Sequence, residues 1–422
     1  MRVWLITTGE PLPTDSYNPR LLRTGYLAQF LGLKGHQVVW WTSNFDHVKK
    51  RKRYLKEISI KCWPGVEIRL LDAPYYTRNI SFARMINHAV TARRFIDQAK
   101  YYKKPDVIIC AFPTIELGYA AVKYGCQGGV PVLLDIRDLW PDVIVNILPF
   151  PLKVLGRLAL SSLFAKTQYA FENAYALLAV SEKYLRWGLG YARRDRKSLD
   201  EVIPIGCKRI TCSRKTIVEA EKSLKAKGVD PTKVVCWFIG SFGKTYDLGT
   251  LIEVARRLKQ NKISNIQFVF SGAGEMKDEW VRKANGLKHV VFTGWIGTNE
   301  IACLSRFATF GLQAYAHGAP QGLANKLYDY LEAGLPILSS LPGENEELLK
   351  KYNCGLTYAA GDPEDFRRKL NQLITNKKLL KRMKTNAVRL FNSNFRMETV
   401  CGNLEKHLIK ISESYKWCKK KK

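Results

Sequence analysis

At 422 residues and 46% hydrophobic content, the chain is too long for one ordinary core and too apolar for wholesale disorder, so two domains of roughly 200 residues each are expected. Its 68 lysines and arginines against 37 acids leave a formal net charge of +31, spread over both halves, and such a field attracts phosphates: nucleic acid, anionic lipid headgroups or nucleotide diphosphates. Ten cysteines include no CxxC pair and only Cys207 and Cys212 lie close together, which argues against a zinc ribbon or a disulfide framework and for buried reduced thiols.

The opening "MRVWLITTGEP" reads as a core strand feeding a loop, without the long apolar segment and cleavage site of a signal peptide. "RLLRTGYLAQFLGLKGH" follows with apolar residues three and four apart, then "QVVWWTS", a strand–helix–strand unit with Gly35 where a helix would stop. "VKKRKRYLK", Val48 to Lys56, gathers six basic residues and no acid. "PDVIICAFP", "GYAAVKYG" and "VPVLLDIRD" continue the alternation. "NILPFPLKVLGRLALSSLFA" is the most apolar run, but Lys153 and Arg157 interrupt it, so no membrane span is expected. After "EVIPIG" a second alternating series begins: "VVCWFIGSFG", "LGTLIEVARRLKQ", "IQFVFSGAG", "VVFTGWIG", "ATFGLQAY" and "LPILSS". The expected architecture is therefore α/β, with parallel sheets covered by helices and a domain join near residue 205. The domains would be 1–205 and 206–399, with a basic helix at 400–422 packing back on the first and fraying at "KWCKKKK".

In such sheets ligands sit beyond the carboxyl ends of the strands. Four strand-end loops of the second half carry small or phosphate-friendly residues: Gly240, Ser241, Gly243 and Lys244; Gly272 and Gly274; Gly294 and Trp295; and "QGLANKLYDYLEAGLPIL", with Gln321, Asn325, Lys326, Asp329 and Glu332. Each alone is ordinary turn chemistry, yet four at strand exits favour a binding role. In the first half "LLDIRDLWPD" ends an apolar strand with Asp135, Arg137, Asp138 and Asp142, charges that are costly there unless paired or used. No DxD triplet occurs, so the carboxylate pair that often anchors a divalent ion under a nucleotide diphosphate is missing.

These motifs resemble the retaining glycosyltransferases of family 4, which have the GT-B fold of two facing Rossmann-like, doubly wound domains with an inter-domain cleft. "RDLWPD" and "NKLYDYLEAGLPIL", with Gly35, His36, Val38 and "VSEKYL", are close to the WbuB-like subgroup, bacterial enzymes of O-antigen, capsule or exopolysaccharide assembly. The resemblance covers essentially the whole chain. It implies that the helix N-terminus after the fourth loop lies against a donor diphosphate. It places Gln321 and Asp329 where two glutamates usually hold sugar and ribose hydroxyls, and adds Asn325 to the donor-binding residues. Ser241 replaces a customary arginine, and the place of a customary lysine falls near Tyr246, so Lys244 and Lys326 are the expected replacements. Arg137 falls about where many relatives keep a catalytic histidine, and Asp138 becomes the candidate base or acceptor-orienting group; the alternative is an Arg–Asp pair pinning the loop. The expected catalytic set is thus Asp138, Arg137, Lys326 and Lys244. Gly9, Glu10 and Arg23 are expected to close over the donor, alongside Gly240, Ser241, Gly272, Gly274 and Trp295.

The implied reaction is metal-independent, with no cofactor, and moves a sugar from a UDP-sugar, an N-acetylated deoxyhexosamine being suggested, to a polyprenyl-diphosphate-linked saccharide. The leaving phosphate would help deprotonate the acceptor on the same face. Lys49, Lys50, Arg51, Lys52 and Arg53 are expected to meet an anionic membrane surface or the acceptor, giving a cytoplasmic protein peripheral on the inner face of the cell membrane. No nucleic-acid partner is expected, since no helix-turn-helix or RNP motif is evident. The alternatives are a non-hydrolysing UDP-sugar epimerase of the same fold and a basic nucleic-acid-binding or scaffold protein.

Overall fold

The computed structural model describes residues 1–422 except 17, 18, 80, 147, 211, 421 and 422, and it leaves aside the side chains of 150 and 417–420. The last residues of the expected frayed end, 421–422, therefore lie outside the described residues. Two compact units emerge: Met1–Ile205 with Met397–Lys422, and Gly206–Arg396.

The first unit runs β1 (Arg2–Ile6), α1 (Arg23–Leu33), β2 (Gln37–Ser43), a hairpin of β3 (Phe45–Asp46) and β4 (Arg51–Lys52), β5 (Ile58–Trp63), β6 (Val66–Leu71) and α2 (Phe82–Ala99). It continues with β7 (Val107–Phe112), α3 (Ile115–Gly128), β8 (Val132–Ile136), α4 (Asp142–Asn146), α5 (Phe150–Ala159), α6 (Ser161–Asn173), β9 (Ala176–Ala179), α7 (Glu182–Ala192) and β10 (Glu201–Val202). Its sheet has the order β10-β9-β8-β7-β1-β2-β6-β5, parallel throughout except that β5 pairs antiparallel with β6. Burial on both faces explains the unbroken apolar runs of β7 and β8. Trp4 and Trp41 point to one face, where Phe95 of α2 and Tyr124 of α3 pack edge-on or stacked against Trp4. Val3, Leu5 and Trp40 point to the other, against Leu27 and Leu31 of α1. Ser81 and Ser181 cap α2 and α7 by accepting from the amides of Arg84 (3.2 Å) and Tyr184 (3.3 Å).

The second unit runs α8 (Arg214–Ala226), β11 (Val234–Ile239), α9 (Leu248–Gln260), β12 (Ile266–Ser271), α10 (Lys277–Lys283), β13 (Val290–Gly294), α11 (Thr298–Phe307) and β14 (Phe310–Gln313). Then come α12 (Leu327–Glu332), β15 (Ile337–Ser339), α13 (Glu344–Tyr352), β16 (Gly355–Thr357), α14 (Pro363–Thr375) and α15 (Lys377–Leu390). The strand order is β13-β12-β11-β14-β15-β16, with every pairing parallel. Each sheet thus reverses its winding once, between β1 and β7 and between β11 and β14, and the carboxyl ends beside those reversals are the natural ligand positions. The last helix, α16 (Met397–Lys420), belongs to the first unit, where Val400, Leu404, Leu408 and Ile411 join the core around α1. Nε2 of His36 meets Oε1 of Glu405 at 2.9 Å on the same seam. Among the described residues, no helix is long and apolar enough to cross a membrane.

Candidate active site

In the first unit the strand-end charges resolve into one network. Asp135, next to last in β8, is fully buried. Its carboxylate accepts from Nε and Nη2 of Arg23 at 3.0 and 3.3 Å and from Nε of Arg137 at 2.8 Å. Arg137 reaches on to Glu10, and Glu10 accepts from the amide (3.1 Å) and hydroxyl (2.7 Å) of Thr24, capping α1 where Leu22 offers no side-chain acceptor. Two acids and two guanidinium groups balance. Burial pushes the Asp135 carboxyl up, but Arg137 and then Arg23 pull it further down, so it sits below its usual range. For Arg137 burial works against the charge, while Asp135 and Glu10 hold its pKa above the ordinary value.

Two expectations are corrected here. Arg23, expected to close over a donor, is 2% exposed and spends its remaining donor on the carbonyl of Pro204 at 2.5 Å; it ties α1 to β8 and the end of the first segment. Arg53, expected at a membrane surface, is turned inward with its side chain 6% exposed. Its guanidinium grips Asp15 at 2.7 and 3.1 Å and the Phe45 carbonyl at 2.7 Å. Buried guanidinium groups need such partners. Of the other cations in that run, Lys52 pairs with Asp72 at 2.7 Å, Lys50 turns toward Asn79, and Lys49 and Arg51 are exposed. Arg137 sits in the Arg–Asp pairing weighed as the alternative to a catalytic role. Asp138 lies outside that network and accepts from the amide of Leu139 at 2.8 Å. Burial raises its pKa, only partly offset by that amide and by Arg84, a condition that suits a proton acceptor. Gly9 turns the chain after β1 with φ +82°, a conformation that glycine takes without strain.

In the second unit the loops after β11, β12 and β13 stack by backbone hydrogen bonds. Gly240 donates to Ser271 at 3.0 Å, Gly272 to Gly294 at 2.9 Å, and Phe242 to Ala273 at 2.8 Å. A Cβ at Gly272, where φ is +152°, would stand 1.9 Å from the Gly240 carbonyl oxygen, and one at Gly274 2.5 Å from that of Phe242. These two glycines therefore serve the contact of one loop with the next. Gly243, by contrast, faces open space, and Ser241, Lys244 and the indole of Trp295 are exposed.

Across the reversal the loops after β11 and β14 zip together. Asp247 donates to Ala314 at 3.0 Å and Ala316 to Thr245 at 2.9 Å, with the Tyr246 and Tyr315 rings 4.9 Å apart. The helix expected in the stretch from Gln321 to Leu338 is α12, of only six residues, ended by Gly334 at φ +66°. So short a helix has a weak dipole, and the charge available to oppose a phosphate there comes chiefly from Lys326. Its ammonium lies 3.4 Å from Asp329, whose other oxygen meets the Cys207 thiol at 3.5 Å. Glu332 pairs with Arg209 at 3.1 Å. Asn325 is exposed, while Oε1 of Gln321 is buried with no partner among the described residues. Sequence reasoning missed the pin that holds this stretch: the Tyr330 hydroxyl accepts from the amide of Ile239 and donates to the carbonyl of Leu312, both at 3.1 Å. It bridges β11 and β14, and Gly311 leaves the room, since a Cβ there would meet the ring at 2.4 Å. A cavity of about 520 Å³ opens at the ends of β14 to β16, lined in part by His317, Gly318, Ser340, Glu346 and Tyr358.

Residues 219–389 match the family model described as glycosyl transferases group 1. YtcC of Bacillus subtilis (strain 168), named as a candidate glycosyltransferase, is 24% identical over 172 residues, 39% of this chain and 42% of YtcC. The match thus spans about two fifths of that relative. Among solved structures, sucrose-phosphate synthase from Thermosynechococcus elongatus superposes with a TM-score of 0.67 at 16% identity, over 97% of this chain and 99% of that one. HepE from Anabaena, in complex with UDP, gives 0.64 at 14% over the same shares. WaaG, a glycosyltransferase involved in lipopolysaccharide biosynthesis, gives 0.64 at 15%, again over 97% and 99%. The chain accordingly has the GT-B fold, and residues 219–389 resemble a glycosyl transferases group 1 domain.

Proposed function

We propose that the protein is a retaining, metal-independent glycosyltransferase that moves a sugar from a nucleotide-diphosphate donor, a UDP-sugar, to a polyprenyl-diphosphate-linked saccharide. The observation that carries this reading is the group 1 match over residues 219–389, set on strand-end loops that present Lys244, Lys326 and the open backbone at Gly243. Solved neighbours that hold UDP or UDP-glucose support the choice of nucleotide. In this reading Lys326 and Lys244 oppose the charge of the leaving diphosphate. Gln321, whose buried Oε1 has no partner among the described residues, and Asp329 bind sugar and ribose hydroxyls. Asp138, its pKa raised by burial, orients or accepts from the acceptor hydroxyl. The missing DxD motif favours cations over a bound ion as the neutralising charge.

Peripheral attachment to the inner face of the cell membrane belongs to the same proposal. Helix α5 exposes Leu152, Val154, Leu155 and Leu158, an apolar face beside Lys153 and Arg157 that suits the headgroup boundary. The test is a thermal-shift screen of the whole protein against UDP-, GDP- and dTDP-sugars. A ligand at about a hundred times its Kd stabilises by about 2.7 kcal/mol, several degrees for a protein of this size. No stabilisation by any of them would end the donor assignment. Turnover that survives EDTA, with an unchanged anomeric configuration by NMR, tests the rest.

A further inference from the structure

The first unit gathers a second group of charges, apart from the balanced Arg23–Asp135–Arg137–Glu10 network. Arg84 sits in the first turn of α2, the positive end of the helix dipole, where no acid is present. It donates from Nη1 to the Asn79 carbonyl at 2.6 Å and from Nε to Nε2 of His88 at 3.3 Å, and its guanidinium lies 4.6 Å from the Trp140 ring centroid. Lys50, in the β3–β4 turn with φ +53°, donates to Oδ1 of Asn79 at 2.5 Å and stands 3.4 Å from Nδ1 of His47. That same nitrogen meets the Tyr76 hydroxyl at 2.6 Å. Among the described residues, neither Arg84 nor Lys50 has a carboxylate at ion-pairing distance.

The nearest carboxylates, Asp46 toward Lys50 and His47 and Asp138 toward Arg84, offset these charges only in part. Burial, then Lys50 and Arg84, lower the His47 imidazole to about 4, and burial, then Arg84 and His47, lower His88 to about 3. Both rings are therefore neutral at pH 7. Glu116, 3.9 Å from His88, has its own carboxyl raised by burial. Burial also lowers Lys50 and Arg84 below their ordinary values. Two half-buried cations at a positive helix end, with two neutral imidazoles and a phenol as hydrogen-bonding company, make an arrangement that is costly when empty and relieved by an anion.

We propose that Arg84 and Lys50, with His47, His88 and Tyr76, form a seat for a phosphate or diphosphate group, specifically the diphosphate of a prenyl-linked acceptor. Arg84 supplies Nη2, which has no hydrogen-bond partner among the described residues, and Lys50 its ammonium, the pairing that phosphate recognition favours. Asp138 lies near enough for its charge to act on Arg84, so an acceptor held by its diphosphate here would be anchored beside the candidate base. The anion seat stands on the geometry alone; assigning it to the acceptor rests on the transferase reading above.

The experiment is isothermal titration of the full chain with inorganic pyrophosphate, geranyl diphosphate and UDP, using wild type, Arg84→Gln and Lys50→Gln. Losing one charged donor to a phosphate should weaken pyrophosphate and geranyl diphosphate about tenfold or more, with UDP affinity changed less than about twofold. Histidine NMR supplies a readout independent of any variant's folding: saturating pyrophosphate should raise the pKa of His47 from about 4 by about one unit or more. Absence of pyrophosphate binding, or equal binding in both variants with His47 unmoved, overturns the seat. A parallel loss of UDP affinity overturns the acceptor assignment and gives the seat to the donor. Pyrophosphate binding that persists in a protein indifferent to nucleotide sugars would sink the transferase reading and leave the anion site standing.

Discussion

Asp135→Asn tests whether the buried network is held by charge or only by shape. The substitution keeps the size but turns one acceptor oxygen into an amide donor that faces guanidinium donors, and it leaves Arg23, 2% exposed, without its counter-ion, and Arg137 with Glu10 alone. Removing one partner from a buried ion pair costs about 3–5 kcal/mol. For a unit of this size each kcal/mol lowers Tm by about 2–4 °C, so the first unit's transition should fall by about 6–20 °C. Differential scanning calorimetry of the whole chain reads this directly, because the second unit's transition should stay in place. The pH dependence follows from the direction of the shift. A carboxyl whose folded pKa is depressed stabilises the protein above its unfolded value, about 3.9, and loses that contribution as pH falls through the folded value. The gap between wild type and variant should therefore be full at neutral pH and narrow below about pH 4. A drop of less than about 2 °C at pH 7, or an equal drop in both transitions, would refute the account.

Gly272→Ala should destabilise the second unit by about 2 kcal/mol or more, since its methyl collides with the Gly240 carbonyl at 1.9 Å; Gly243→Ala, which meets nothing within 4 Å, should leave Tm within about 2 °C while weakening UDP stabilisation in the thermal-shift screen. Lys326→Ala should cut turnover by about a hundredfold or more with an unchanged circular dichroism spectrum; retained activity removes Lys326 from the site. Arg53→Ala should cost about 3 kcal/mol in chemical denaturation yet leave retention on anionic vesicles unaltered, whereas Lys49→Glu with Arg51→Glu should reduce that retention by about 1 kcal/mol per charge removed.

The α/β alternation was legible because it is local: a buried parallel strand must be a short apolar run and its covering helix must be amphipathic, so "VVCWFIG" and "LGTLIEVARRLKQ" declare themselves. The reading placed the join near residue 205, and the structure divides after Ile205. Partnership over long distances left no such trace. Arg23 reads as a free cation until the fold brings it to Asp135, 112 positions away, and Arg53 until it meets Asp15, 38 away. "VKKRKR" looks like one solvated basic face, although its members point in different directions once the β3–β4 hairpin forms. The glycines after β12 were visible as special, but only the structure tells a glycine that admits another loop from one that faces open space. Tyr330 gave no signal, since a tyrosine on the apolar face of a short helix resembles any core aromatic until its hydroxyl is seen joining two strands.

The assignment of α16 to the first unit has a consequence for the order of assembly. Residues 206–396 form one unbroken segment, and its sheet can close as soon as it is made. The earlier segment, 1–205, must wait with an oily stripe of α1 and the Val3–Leu5 strand uncovered until Val400, Leu404, Leu408 and Ile411 arrive. The half of the protein translated first is thus the half that matures last, reversing the usual vectorial sequence, and its interim exposure makes it the natural client for chaperones during synthesis.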